Sequence, residues 1–362
     1  MAEQSKKKSK MVYLLAILFQ KTDEEHGLTR EEIETELSKY GIEIGRKSFS
    51  DDYKELNILS QNLGLNFEIK IEKTNGRSEY RLKNRIFSTG ELKILVDIVQ
   101  AAKPITEKMS QDLIKKIELL GSERSRNELN RHVIVAGRSK TTNDEIFDNA
   151  DIIYEAIRDH RKLKFKYFNW NIKKEKEYKK DIYMVSPAAL VWDHDNYYLL
   201  AKDEIHAATL REELKDERKE VSKIELEKKI SEESKRHYRV DKMERIELLD
   251  EDSTINEEEY RTSQFTQKIT GMYEMYDGKR ETIRLRGHKN RVGVLIDRFG
   301  KNFPIREDVN DPEYFVARIE VYYSAQLLNW LLAIDSIEIL GPENVVEDVR
   351  KKIDKFSKLY KK

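Results

Sequence analysis

The chain has 362 residues, 38% of them charged, and its 68 basic side chains balance its 68 acidic ones. A net charge of zero gives no long-range steering, so any nucleic-acid contact has to come from a local patch. The absence of cysteine excludes disulfides and thiolate zinc sites, and no stretch approaches the roughly 20 apolar residues that a membrane-spanning helix needs.

The length suits about two to four domains of about 100 to 150 residues each. The first segment, MAEQSKKKSKMVYLLAILFQKT, places a basic run before an apolar one, as a signal peptide does. Its apolar part is short, lacks a small-residue cleavage site and continues in helical spacing. A first helix with a basic leader is therefore predicted, with the cytoplasm as the expected compartment. Leu28-Thr29-Arg30-Glu31-Glu32-Ile33 opens a second helix. Thr29 and Glu32 have capping-box spacing, and Leu28 with Ile33 that of a hydrophobic staple. Ile33, Leu37 and Tyr40 share a face before Gly41 ends it.

In RKSFSDDYKELNIL, Phe49, Tyr53 and Leu56 repeat on one helical face, and Arg46, Lys47, Ser50, Lys54 and Asn57 fall on the other. NFEIKIEKTNGRSEYRL alternates on both sides of Asn75-Gly76, the strongest two-residue hairpin signal. Three helices and a hairpin make the pattern of a winged helix-turn-helix, whose third helix fits a major groove while basic side chains and helix amides hold phosphates. Thr29, Arg46, Lys47, Ser48, Ser50 and Lys54, with Lys73 and Arg77 near the wing tip, are the candidate DNA contacts. Residues 1–90 hold 16 basic and 15 acidic residues, so a small protein-binding winged domain is the alternative. The positives gather in the leader, at Arg46-Lys47 and along the wing through Arg85, and the acids crowd residues 23–36.

This arrangement resembles the DNA-binding domains of bacterial WYL-type transcriptional regulators, related to the DeoR-like helix-turn-helix group. Their recognition helix typically reads Arg-Lys-Thr-Ile-x-Arg-Asp-Ile-x-x-Leu, and here Arg46-Lys47-Ser48-Phe49-Ser50-Asp51-Asp52-Tyr53-Lys54-Glu55-Leu56 follows it in kind. Asp51 departs from it, an acid where the family places a base. Next to phosphate an acid repels, so a shallower seat for this helix or more reliance on the wing is expected.

Ser88 and Glu91 form another capping box, followed by apolar stripes through Leu92, Leu95, Ile98 and Val99 and through Leu113, Ile114, Ile117 and Leu120. These predict a helical connector and a dimer contact. GRSKTTNDEIFDN, residues 137–149, is polar and turn-rich and suits a domain boundary.

An amphipathic helix, IIYEAIRDHRK, precedes strand-like runs: LKFKYF, DIYMVSP, ALVW, NYYLLA and HYRVDKM. Short strands between turns predict a small bent antiparallel sheet or barrel, with Pro187 at an edge or bulge. The run resembles the WYL domain, an Sm-like barrel named for a Trp-Tyr-Leu strand. Tyr197-Tyr198-Leu199 stands there with Tyr for Trp, flanked by Tyr183-x-x-Ser186-Pro187-x-x-Leu190 and by His237-Tyr238-Arg239-Val240-Asp241-Lys242-Met243. The family joins these strands by a short loop, where this chain has the charged run AATLREELKDERKEVSKIELEKKISEESK. That run suits a solvated helical hairpin or a disordered arm, a decorated loop in either case.

Period-two alternation puts His237, Arg239 and Asp241 on one strand face and Tyr238, Val240 and Lys242 on the other. An arginine fork beside a tyrosine ring suits a nucleotide, an oligonucleotide or another anionic effector. Ser186, Tyr197, His237 and Arg239 are the candidate effector residues, with Arg236 added although alternation places it opposite. The competing reading pairs Arg239 with Asp241 or a glutamate. The resemblance implies a ligand-sensing module for nucleic-acid-like ligands.

From residue 262 the order strand, helix, strand, strand, helix, strand and a final helix is βαββαβ with an added helix, the ferredoxin-like pattern. It resembles the C-terminal extension of WYL regulators, including Ser324-x-x-Leu327-Leu328-x-Trp330-Leu331-Leu332 and Gly341-Pro342-Glu343. The resemblance links this domain to dimerisation and effector response.

Signals for catalysis are weak. Gly271 to Arg280 lacks phosphate-loop spacing and the Ser or Thr after Lys279. Asp193-His194-Asp195 reads as a hairpin turn rather than a metal site.

The expected protein is α+β and multidomain: a winged helix-turn-helix at 1–86, a helical connector at 87–148, a WYL domain at 149–260 with a charged insertion at 207–235, and a ferredoxin-like domain at 261–362. It is read as a non-enzymatic homodimeric regulator on a two-fold double-stranded DNA operator, without cofactor, metal or membrane. A nucleotide or oligonucleotide effector would bind the middle domain. The alternatives are a nucleic-acid-binding accessory protein, for instance in phage defence, that binds RNA or single-stranded DNA without controlling transcription, and a nucleotide hydrolase dependent on Arg239.

Overall fold

The computed structural model describes residues 2–129, 140–214, 222–255, 272, 273, 275, 276 and 278–361, with side chains from residue 9 onward. The chain divides into two compact units, Met1–Asp144 and Glu145–Lys362. The expected architecture, α+β and multidomain with a curled middle sheet, is the one observed.

The first unit begins with α1 (Ala2–Lys21), β1 (Leu28–Thr29), α2 (Arg30–Ser38), α3 (Arg46–Asn62) and the hairpin β2 (Glu68–Thr74) and β3 (Arg77–Lys83). This is the element order expected of a winged helix, with a short strand added: β1 pairs with β3 in a sheet of order β1-β3-β2. Thr29 starts α2 by the predicted capping box, its hydroxyl accepting from the Glu32 amide at 3.3 Å while the Glu32 carboxylate accepts from the Thr29 amide at 2.7 Å. Asn75 and Gly76 both take positive φ, 51° and 80°, as a two-residue hairpin turn requires. Leu14, Leu18, Ile33, Leu37, Phe49, Leu56, Ile69 and Leu82 form the core, and Phe49 meets Tyr80 edge-on at 4.8 Å.

Three connector helices follow, α4 (Thr89–Ala101), α5 (Glu107–Glu118) and α6 (Glu123–Leu129). Leu92, Val96 and Leu129 make their small core, against which Leu95, Ile114 and Ile117 pack. Four members of the predicted stripes, Ile98, Val99, Leu113 and Leu120, lie outside it, with Ile98 59% and Leu120 42% exposed. A three-helix layer this thin buries only one side of each helix.

The second unit opens with α7 (Ile146–Arg158) and the strands β4 (Arg161–Trp170), β5 (Lys176–Tyr178), β6 (Tyr183–Asp193) and β7 (Asn196–Asp203). Helices α8 (Glu204–Glu213) and α9 (Lys223–Glu233) come next, then β8 (Lys235–Arg239) and β9 (Met243–Asp252). The sheet order is β5-β4-β6-β7-β8, and β9 pairs with β4, so a 3-10 turn over Val240–Lys242 carries the chain from one end of the sheet to the other. Two sequence expectations are corrected here. DIYMVSP and ALVW are one strand, irregular between Pro187 and Ala189, where a bulge was expected. HYRVDKM is two strands, because the turn at Val240 closes the curled sheet.

The charged insertion is helical where it is described, and residues 215–221 lie outside. Ala207, Leu210, Leu226 and Ile230 bury themselves between α8 and α9, and Arg211 pairs with Glu227 at 2.9 Å.

The last part holds β10 (Lys279–His288), α10 (Val292–Phe299), β11 (Ile305–Glu307), β12 (Tyr314–Tyr323), α11 (Ala325–Ala333), β13 (Ile337–Gly341) and α12 (Glu343–Tyr360). Its antiparallel sheet runs β11-β12-β10-β13, the ferredoxin-like order. The first of these helices starts at Val292, after a 3-10 turn over Lys289–Arg291. Ile283, Leu285, Leu295, Phe315, Ile319, Leu327 and Leu331 make the core. Gly271, the first glycine of the phosphate-loop-like stretch, lies outside the described residues. Among the described residues no helix is long and apolar enough to cross a membrane.

Candidate functional site

In the first unit, Arg46, Lys47, Ser48 and Lys54 are exposed on α3, with Ser50 half-buried beside them. Phe49 and Leu56 hold the opposite face in the core. Gly45, the N-cap, supplies no side-chain bond to the first turn, which leaves backbone amides at that end free of a competing side-chain oxygen, as an anion requires. Lys10 of α1 reaches this turn, donating to the Ser48 hydroxyl at 2.5 Å and pairing with Asp52 at 2.5 Å. One of the two acids of the Asp51-Asp52 pair is thus neutralised from a neighbouring helix, and Asp51 stays exposed. The hairpin presents Lys73 and Arg77 exposed at its tip.

Three polar residues given to this surface by sequence are bound elsewhere. The Thr29 hydroxyl is taken up by its capping box, donating to the Glu32 carboxylate at 3.0 Å. Asn57 donates to the Ile69 carbonyl at 3.0 Å and accepts from the Ile69 amide at 2.7 Å, clipping α3 to β2. Arg85 is not part of a basic wing surface: it donates to the carbonyls of Phe19 and Thr22 and lies over the Phe19 ring at 4.6 Å.

In the second unit, register decides which residues share a face. Tyr198 stands opposite Arg239 and Leu200 opposite His237, whereas Leu199 faces Tyr238 and Ala201 faces Arg236. Directly paired residues project to the same side. The tyrosine on the Arg239 side is therefore Tyr198. Tyr197 and Arg236 lie on the other side with buried Leu199 and Tyr238, and Tyr197 packs edge-on against Trp192 at 4.6 Å. Arg236 donates to the Glu233 and Lys235 carbonyls, each at 2.7 Å.

Arg239 forks onto Asp241, Nε to Oδ1 at 3.0 Å and Nη2 to Oδ2 at 2.8 Å, and its side chain stays 35% exposed. Burial opposes its charge, but the Asp241 hydrogen bonds outweigh burial and hold the guanidinium above its ordinary value. The Arg239 amide donates to the Tyr167 hydroxyl at 3.3 Å, and burial pushes that phenol up to about 12. Nδ1 of His237 lies 2.7 Å from the Met275 carbonyl. Ser186 is on the same side, opposite Lys202, but fully buried. It donates to the Glu204 carboxylate at 2.6 Å and accepts from the Thr254 amide at 2.9 Å. Lys202 completes that cluster through the Thr254 hydroxyl at 2.8 Å, and burial lowers its pKa. His194 and Asp195 take positive φ in the turn between β6 and β7, and Nδ1 of His194 lies 2.9 Å from the Asp193 carboxylate.

The structure thus gathers Tyr198, His237 and Arg239 and sets Tyr197 and Arg236 apart. Tyr198 and Lys202 were missed by sequence reasoning, whereas the Arg239–Asp241 pair is the one its competing reading named. The doubled tyrosine was visible, but only strand pairing says which of the two faces Arg239.

Residues 148–212, from α7 through the curled strands into α8, match the family model of the WYL domain. The chain carries a WYL domain. The matched span includes the Tyr197-Tyr198-Leu199 strand and most of the insertion's first helix. Among curated proteins none matches the chain. Two solved structures are similar at low identity. One is proteasome accessory factor B/C (PafBC) of Arthrobacter aurescens, at 14% identity over 93% of this chain and 45% of that chain, with a TM-score of 0.28. The other is a CRISPR Cas-related protein, at 13% identity over 90% of this chain and 77% of that one, with a TM-score of 0.33. The chain spans less than half the length of the first.

Proposed function

We propose that this protein is a cytoplasmic, non-catalytic DNA-binding transcriptional regulator. It acts as a homodimer on an inverted-repeat operator and is controlled by a nucleotide or nucleic-acid-like effector at the Tyr198–Arg239 face of the WYL domain. One observation carries the reading: Arg46 and Lys47 stand exposed at an N-terminus of α3 that no side chain caps, on a helix whose other face is held by Phe49 and Leu56. That is the geometry for placing a helix end and two cations against phosphate. The exposed Lys73 and Arg77 of the hairpin supply a second contact to the backbone. The Arg239–Asp241 fork favours an effector because a guanidinium already oriented, and still partly open, loses little freedom when it takes an anion.

The test is duplex binding measured against salt, with a fragment selected from the protein's own promoter region. Arg46→Ala with Lys47→Ala should weaken binding at least about ten-fold. It should also flatten the slope of log K against log salt by about 1.8, two contacts at roughly 0.9 each. Unchanged affinity and slope would assign the groove to another surface.

A further inference from the structure

The ferredoxin-like sheet has one packed face and one open face. Ile283 and Leu285 on β10 and Phe315, Ala317, Ile319 and Val321 on β12 are buried in the core. The residues between them point away from it. On that open side Arg284 stands directly opposite Arg318. Val316 lies between Arg286 of β10 and Arg306 of β11, and the Arg318 amide donates to the Pro304 carbonyl at 2.9 Å. These strands enclose a depression of about 360 Å³, lined by Arg284, Pro304, Ile305, Arg306, Val316 and Arg318. Three guanidinium groups rim an apolar floor, and among the described residues no carboxylate lines it.

Elsewhere on this sheet the charges are matched. Arg280 pairs with Glu320 at 2.6 Å, and Arg286 with Asp308 at 2.5 Å while covering the Tyr314 ring at 3.9 Å. Arg284 is steadied only by the Leu340 carbonyl, 3.1 Å away, and among the described residues no carboxylate pairs with Arg284, Arg306 or Arg318. Like charges directly opposite on paired strands are destabilising, so a sheet that needed only solubility would place an acid here, as it does in the adjoining rows. Asp308, paired with Arg286, acts on Arg306 through its charge but forms no ion pair with it, and an external polyanion would relieve the remaining repulsion.

We propose that this depression binds the phosphate groups of a nucleotide or an oligonucleotide. Arginine forks match phosphate geometry better than a point charge does. The unpaired cations occupy two rows about 7 Å apart along the strands, which suits successive phosphates more than a single carboxylate. Val316 and Pro304 offer the apolar floor a sugar or base edge needs, and the volume falls in the range of small-ligand pockets. The site shares no residue with the Tyr198–Arg239 face and does not depend on α3 reading a groove.

The test uses the full chain carrying Arg239→Ala as the parent, so that the Tyr198–Arg239 face does not contribute, and fluorescence anisotropy of a labelled single-stranded oligonucleotide of about ten bases. Unlabelled ATP, pyrophosphate and a polyglutamate peptide serve as competitors. Arg306→Ala with Arg318→Ala should weaken binding at least about ten-fold and reduce the salt slope by about 1.4, at roughly 0.7 per contact on a single strand. Its melting temperature should be equal or higher, since repulsion is removed. Arg280→Ala, which removes an exposed cation of the same sheet already paired with Glu320, should leave this binding unchanged, which separates the depression from general surface charge. Full displacement by ATP or pyrophosphate would name a nucleotide as the source of the phosphates, and displacement only by unlabelled strand would name an oligonucleotide. The proposal is overturned if none of the phosphate probes binds, if the double variant binds like the parent, or if polyglutamate displaces the strand as well as unlabelled strand does.

Discussion

At the scale of single residues, polar groups of similar appearance do different work. Lys54 and Asn57 fall on the same predicted face of α3, yet Lys54 is exposed while Asn57 holds both backbone groups of Ile69. Asn57→Ala leaves a part-buried amide and carbonyl without their partner and should cost about 1 to 3 kcal/mol. Lys54→Ala should change stability by no more than about 0.5 kcal/mol. Comparing the two thermal melts checks this, and equal effects would remove the clip. Arg239 belongs at this scale too. Its side chain is oriented by Asp241, so Arg239→Ala should spare duplex binding and abolish the response of that binding to added nucleotide or short single strands. A variant that still responds would place the effector elsewhere.

At the scale of elements, backbone geometry separates what was legible from what was not. The hairpin β2–β3 was readable because Asn75-Gly76 names its turn, and Gly76 sits at φ 80° with open space around its Cβ position. Gly76→Val should therefore destabilise through the backbone alone, by about 1 to 2 kcal/mol, seen as a lower melting temperature with no change in secondary structure by circular dichroism. A neutral result would mean the wing does not depend on that turn. The capping boxes at Thr29 and Ser88 were equally legible, since both partners lie three residues apart. HYRVDKM was misread as one strand for the opposite reason. Its alternation continues through Val240, but the chain has to turn there to bring β9 against β4, a partner about eighty residues earlier.

At the scale of the whole molecule, a net charge of zero conceals local separation. The exposed cations of α3 stand beside one neutralised acid, Asp52, and one exposed acid, Asp51, and the arginine depression of the ferredoxin-like sheet is lined by three guanidinium groups. A regulator on an inverted repeat also has to present two copies, and the proposed homodimer should sediment at twice 43.0 kDa at micromolar concentration. A species of one chain that binds a single half-site would refute it.

The sequence alone determined the elements whose causes are local: caps, turns, the order of helices and strands, and so the α+β multidomain class and the WYL strand. Tertiary structure alone decided which side chains meet. Tyr198 rather than Tyr197 shares the face of Arg239, Arg85 is locked onto the Phe19 and Thr22 carbonyls, and Arg284, Arg306 and Arg318 gather from three strands. Capping and turn formation act over two to four residues and leave a mark in the spacing, whereas strand register is settled by packing between segments far apart in the chain, which no local pattern encodes.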